Sequence, residues 1–148
     1  MSGRISIQTG DFDINAEIAA LKADETGAVV TFTGIVRVED GVTSLTLEHY
    51  PGMTEREITR HIEEAKARWP LQGVTVIHRI GVLAPGDNIV LVAVAAAHRQ
   101  PAFEAAQFLM DYLKTRAPFW KFEERAGDSR WVDARESDDA AATRWRRD

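Results

Sequence analysis

The stretch IVLVAVAAAHRQPAFEAAQFLMDYLKTRAPFWK, residues 89–121, decides how the rest of the chain is read. Ile89 to Ala97 is the longest apolar run, far short of the roughly 20 residues a membrane helix needs, and it reads as a strand. A run without polar alternation implies burial on both faces. Pro101 then falls where a first helical turn tolerates it. Phe103, Ala106, Met110 and Leu113 recur at helical spacing until Pro118 stops the helix. The unit is a buried strand followed by an amphipathic helix.

Beyond Pro118, FWKFEER and RWVDA flank Gly127 and Asp128 as a final hairpin, and residues 137–148 read as a charged C-terminal tail ending TRWRRD. Toward the N-terminus, the turn at Pro85, Gly86 and Asp87 links the apolar strand to another, VTVIHRI, from Val74 to Ile80. Thr54 with Glu57 forms the T-x-x-E pattern of a capping box, opening a helix with Ile58, Ile62, Ala65 and Trp69 on one face; Pro70 ends it. Ala28 to Arg37 and Ser44 to Tyr50, joined by the loop Val38 to Val42, suit an antiparallel hairpin. RISIQTG alternates like an edge strand, and Asp13 to Ala23 has helical spacing. No repeat or linker interrupts the chain, which predicts a single domain over 1–148. The mixed order of strands and helices indicates an α+β fold.

The 148 residues are 45% hydrophobic and 28% charged, a soluble globular composition. The opening MSGRISIQTGDFD has no apolar targeting segment, so a cytoplasmic protein without a membrane partner is expected. A net charge of −5 disfavours a nucleic-acid surface but leaves room for a small basic pocket. The chain has no cysteine, which removes disulfides, thiolate metal sites and thiol-nucleophile or persulfide-carrier chemistry; if the protein handles sulfur, another molecule must bring it.

The cationic residues of interest lie between the apolar strand and the last hairpin: His98, Arg99, Lys114, Arg116 and Lys121. His98 and Arg99 sit where a strand ends and a helix begins, a setting for anion binding and equally for an ordinary cap and a solvated loop. Lys114, in the last helical turn, suits the helix dipole as well as any catalytic role. Lys121 lies between Trp120 and Phe122, and desolvation there would lower its pKa toward proton transfer, although a strand lysine with a solvated head is the commoner case. Arg37 is placed to grip a phosphate or to pair with Glu39 or Asp40. Glu123, on the strand face of Lys121, could orient it. His49 and His78 lie in strands and His61 on a polar helix face; no histidine pair has metal-ligand spacing, so all three read as structural and no metal or cofactor is implied. Phosphate-loop and nucleophile-elbow patterns are absent.

Taken as continuous text, TFTGIVR, LTLEHYPGMTE, RWPL, VTVIHRIG, PGD, AHR, FEAAQFLMDYLKTRAPFWK and RWVDARESD resemble the large, catalytic subunit of molybdopterin synthase, from about Gly27 to Asp138. The resemblance implies an α/β hammerhead fold with an additional small antiparallel β subdomain. It implies a homodimer at the centre of a heterotetramer, with a small ubiquitin-like sulfur-carrier subunit at each end. The implied reaction is a sulfurtransferase step: cyclic pyranopterin monophosphate becomes molybdopterin by insertion of two dithiolene sulfurs, each carried as the small subunit's C-terminal Gly-Gly thiocarboxylate. By matching positions, Lys114 and Lys121 are the implied catalytic pair, and Arg37, His98 and Arg99 the implied holders of the pterin phosphate. Ile35, Val36, Phe122 and Glu123 would line the same pocket, with Arg135 of DARES reaching in from the other protomer. Ile35 and Phe122 replace residues that are polar or basic in relatives, which leaves their backbone as the contact. On the residues alone two other classes stay open. One is a phosphoester hydrolase using His98 with the arginines as anion clamp, the other a non-catalytic module docking a ubiquitin-like protein.

Overall fold

The apolar run forms β6 (Asn88–Ala96), and Val90 to Ala96 are all buried along it. In the computed structural model, which describes residues 2–38, 41–125, 128–132 and 136–146, β6 occupies an inner position of a four-stranded sheet. Its antiparallel neighbours are β4 (Leu71–Arg79) and β2 (Ala28–Ile35), and β1 (Ile5–Gln8) adds a parallel edge beside β4. Burial on both faces follows from layers on both sides. Val90, Val92 and Val94 face α2 (Met53–Arg68) and α3 (Arg99–Thr115), packing with Val74, Val76, Ile58, Ile62, Phe108 and Leu109. Ala93 and Ala95 face Leu21 of α1 (Ile14–Leu21) and Val29. Burying a Val, Leu or Phe side chain contributes about 1.5–3 kcal/mol, so this continuous core carries most of the fold.

A second, antiparallel sheet has the order β5 (Gly81–Leu83), β3 (Val42–His49), β7 (Phe119–Arg125) and β8 (Asp128–Val132). The expected hairpin of residues 28–37 with 44–50 therefore does not form. β2 pairs with β6, and β3 pairs with β5 and β7. Each partner offers a better buried face: Leu45 and Leu47 meet Leu83 and Val36 in a small core of their own. The chain crosses between sheets at Gly81, whose φ of 90° lets β5 leave the line of β4 within one residue. The observed α+β architecture with a separate small antiparallel sheet is the one the sequence predicts.

Two local expectations change. The box opening α2 is shifted by two residues: Gly52, with φ 86°, is the N-cap, and its N–H donates to the Glu55 carboxylate at 3.2 Å. The charged C-terminal end is not a simple tail. Glu136–Thr143 form α4, Ala142 is buried, and Trp145 packs edge-on against Trp69 and Phe108 while its indole N–H donates to Asp111. Among the described residues no helix is long and apolar enough to cross a membrane.

Candidate active site

α3 ends as expected: Arg116 is the C-cap, its N–H reaching the Tyr112 carbonyl at 2.7 Å, and Pro118, lacking an N–H, cannot continue the helix. Lys114 is exposed in the last turn of α3, and Lys121 is half-buried in β7, opposite Leu47 on β3 and Val132 on β8. The two lysines thus flank one turn, and the second is held in the middle of a paired strand.

The turn is fastened from two sides. The Phe119 ring stacks on His78 of β4, with centroids 3.7 Å apart and planes 16° apart, tying the second sheet to the end of the first. The His78 Nδ1 hydrogen donates to the Arg79 carbonyl at 2.8 Å, which fixes the neutral tautomer and leaves Nε2 unprotonated. On the other side Thr54, fully buried, donates its hydroxyl to the Pro118 carbonyl at 3.0 Å and accepts the Tyr50 N–H at 3.0 Å. The pattern that read as a capping threonine is a tie between the start of α2 and the lysine turn.

Both lysines act electrostatically on the same buried ring. Burial pushes the His78 pKa down to about 4; its hydrogen bond to the Arg79 carbonyl opposes the shift, and the positive charges of Lys121, Lys114 and His49 add to it. The ring is neutral at physiological pH, and the field of both lysines reaches it. A developing anion would meet the same field with opposite sign.

The other anticipated residues divide. Ile35, the last residue of β2 and part of a register irregularity with Gly34, is exposed, as is Arg37 two residues beyond it. Val36 between them is buried with Leu45, Leu47 and Leu83; its N–H donates to the Asp87 carbonyl and its carbonyl accepts from Gly86. Its side chain belongs to the small core, while its backbone anchors Arg37 to the Pro85–Asp87 turn. Phe122 follows Lys121 directly in the strand, so its side chain projects to the opposite face, where it lies edge-on to Trp131 at 5.1 Å. The Phe122 side chain therefore does not share the face of Lys121. Glu123 shares the face of Lys121 and binds the Arg125 guanidinium at 2.9 Å. His61 is not on a polar face: it is buried and stacked on Tyr112 at 4.4 Å, because α3 packs over that side of α2.

His98 and Arg99 lie exposed at the N-terminus of α3, with His98 as an extended N-cap. Arg99 and Lys114 stand at opposite ends of the same helix, about 22 Å apart at 1.5 Å per residue. Within one chain His98 and Arg99 are therefore separate from the lysine pair, whereas Arg37 lies near the start of β6, at the other end of that strand from His98. Arg135 lies outside the described residues. Missed in the sequence were Thr54 as a tie and His78 as a neighbour of the lysines; the alternation of β4 turns His78 inward, but nothing local says that Phe119 covers it.

Residues 7–116 match the family described as MoaE protein. The chain belongs to the MoaE family. It is 62% identical to the molybdopterin synthase catalytic subunit of Mesorhizobium japonicum, with 96% of this chain and 92% of that protein covered. It is 58% identical to the protein of that name from Escherichia coli strain K12, with 96% and 97% covered. Among solved structures, a molybdopterin biosynthesis MoaE protein from Burkholderia ambifaria superposes with a TM-score of 0.84 at 51% identity, covering 97% of both chains. The two-sheet architecture and the lysine turn thus sit in a MoaE fold along nearly their whole length.

Proposed function

We propose that this chain is the catalytic subunit of a cytoplasmic molybdopterin synthase. It transfers sulfur from the C-terminal thiocarboxylate of a small ubiquitin-like subunit to cyclic pyranopterin monophosphate, forming the dithiolene in two rounds. The observation that carries the reading is the pair Lys114 and Lys121 on either side of a turn tied down by Thr54 and Phe119. The lack of cysteine is consistent with sulfur supplied by a partner.

In this reading the thiocarboxylate enters beside Lys114, whose charge offsets that of the tail. Lys121 stabilises the charge that develops as the thiocarboxylate sulfur bonds to the pterin side chain and an oxygen leaves that carbon, or moves the proton there; water then cleaves the acyl–sulfur bond and leaves the carrier's carboxylate. Arg37, His98 and Arg99 hold the pterin phosphate. The separation along α3 favours a homodimer in which the helix N-terminus of one protomer meets the lysine turn of its partner, with Arg135 also given across the interface. A face for such pairing exists on the second sheet, where Val82, Trp120 and Trp131 are exposed in a band with Phe122.

The test is reconstitution with thiocarboxylated small subunit and cyclic pyranopterin monophosphate, following dithiolene formation. Lys121→Ala nearly abolishes product while leaving dimerisation intact; near-normal turnover overturns the assignment. Phosphate released from the pterin without any thiocarboxylated protein would point instead to a hydrolase acting through His98.

A further inference from the structure

The two lysines are only as well placed as the turn between them, and one of its two fastenings rests on a single atom. Thr54 Oγ1 accepts the Tyr50 N–H at 3.0 Å and donates to the Pro118 carbonyl at 3.0 Å. It thereby joins the residue that follows β3 and the first turn of α2 to the residue that precedes β7. Thr54 is fully buried, so water cannot replace either bond. From Pro118 the backbone runs through Phe119 and Trp120, paired with His49 and Glu48, to Lys121. Trp120 is held against Tyr50 with centroids 4.0 Å apart. A displacement at the Pro118 carbonyl is therefore passed along a paired strand to Lys121, while Lys114, on the helix before the turn, stays with α3.

We propose that Thr54 is a positioning residue for sulfur transfer, its hydroxyl setting the distance between Lys114 and Lys121 through the Pro118 carbonyl. This rests on the lysine-pair reading above. Valine at this position keeps the shape and removes the hydroxyl, leaving the Pro118 carbonyl and the Tyr50 N–H without that partner. Serine keeps both bonds.

The experiment compares Thr54→Val, Thr54→Ser and Thr54→Cys with wild type and Lys121→Ala in the reconstituted complex, well below each melting temperature. Leu21→Ala serves as a control destabilised in the core on the far side of the first sheet. A misplacement of about 1 Å costs catalysis up to about a hundredfold. The valine variant should accordingly lose about ten- to a hundredfold in kcat, with KM for the pterin and for the small subunit unchanged, and serine should restore wild-type kcat. Cysteine, close in size with a weaker donor, should fall between them, and it carries the test should the valine variant fail to fold. Wild-type kcat in the valine variant, or in the cysteine variant where valine does not fold, overturns the proposal. So does an equal loss in Leu21→Ala, which would make the effect one of stability alone. Activity in Lys121→Ala would instead overturn the underlying reading, whatever the Thr54 variants do.

Discussion

Two buried histidines make the fold acid-sensitive, and His61 allows the effect to be measured cleanly. Its ring is buried between α2 and α3, stacked on Tyr112, and among the described residues Nε2 has no hydrogen-bond partner. Burial, then the charge of Arg60, push its pKa from 6.5 down to about 4; Arg116 acts the same way, while Glu57, with its carboxylate 3.8 Å from Nε2, and Glu64 oppose the shift. A folded-state pKa below the unfolded one means that the unfolded chain binds the proton more tightly as pH falls. Stability is complete above about pH 6.5 and is lost as pH drops toward 4. At pH 5 one such group costs about 2 kcal/mol, and His78, shifted to a similar value, doubles this to about 4 kcal/mol. His61→Phe keeps a ring against Tyr112 and removes both the titration and an unsatisfied buried nitrogen, so its stability at pH 7.5 should match or exceed wild type. Urea unfolding at pH 7.5 and pH 5.0 should show the loss between the two pH values shrinking by about 2 kcal/mol in the variant. An identical loss in both proteins would refute the assignment of this acid sensitivity to His61.

Trp145→Ala should destabilise the protein by about 3 kcal/mol in urea unfolding, as expected for deleting a packed tryptophan, because the indole meets Trp69 and Phe108 and donates to Asp111. A change under about 0.5 kcal/mol, typical of surface positions, would contradict the packing of the C-terminal segment. The separation of about 22 Å along α3 yields a complementation test: Lys121→Ala and Arg99→Ala chains, each inactive alone, are unfolded together, refolded and assayed. Sites shared between protomers recover about a quarter of wild-type activity, since half the dimers are mixed and each mixed dimer holds one intact site. No recovery would place both groups in one chain's site.

Much of this molecule is legible because the signals are local. The unbroken apolar run of β6, the helical spacing of α3, the Pro118 stop and the β7–β8 hairpin each follow from residues close together in sequence. They bring Lys114 and Lys121 to the same turn before any tertiary contact is considered. Strand partnership was not legible in the same way. Residues 28–35 and 42–49 are neighbours in sequence and look like a hairpin, yet they belong to different sheets, because each strand pairs where its apolar face is best covered. His61 reads as polar-face until Tyr112 from α3 is laid over it, and Thr54 reads as a cap until the Pro118 carbonyl arrives at its hydroxyl.

Residues close together in the chain suffice for the α+β class, the elements on either side of Pro118, the absence of any cysteine thiol and, through resemblance, the family. The tertiary structure decided which of the named residues share a place. It set Val36 in the core and Phe122 on the far face of β7, and it put His98 and Arg99 a helix length from the lysines. The physical reason is range. Periodicity and turn chemistry act over a few residues, whereas the contacts of Thr54 with Pro118 and of His78 with Phe119 join segments about 40 to 60 positions apart and exist only once both sheets have packed.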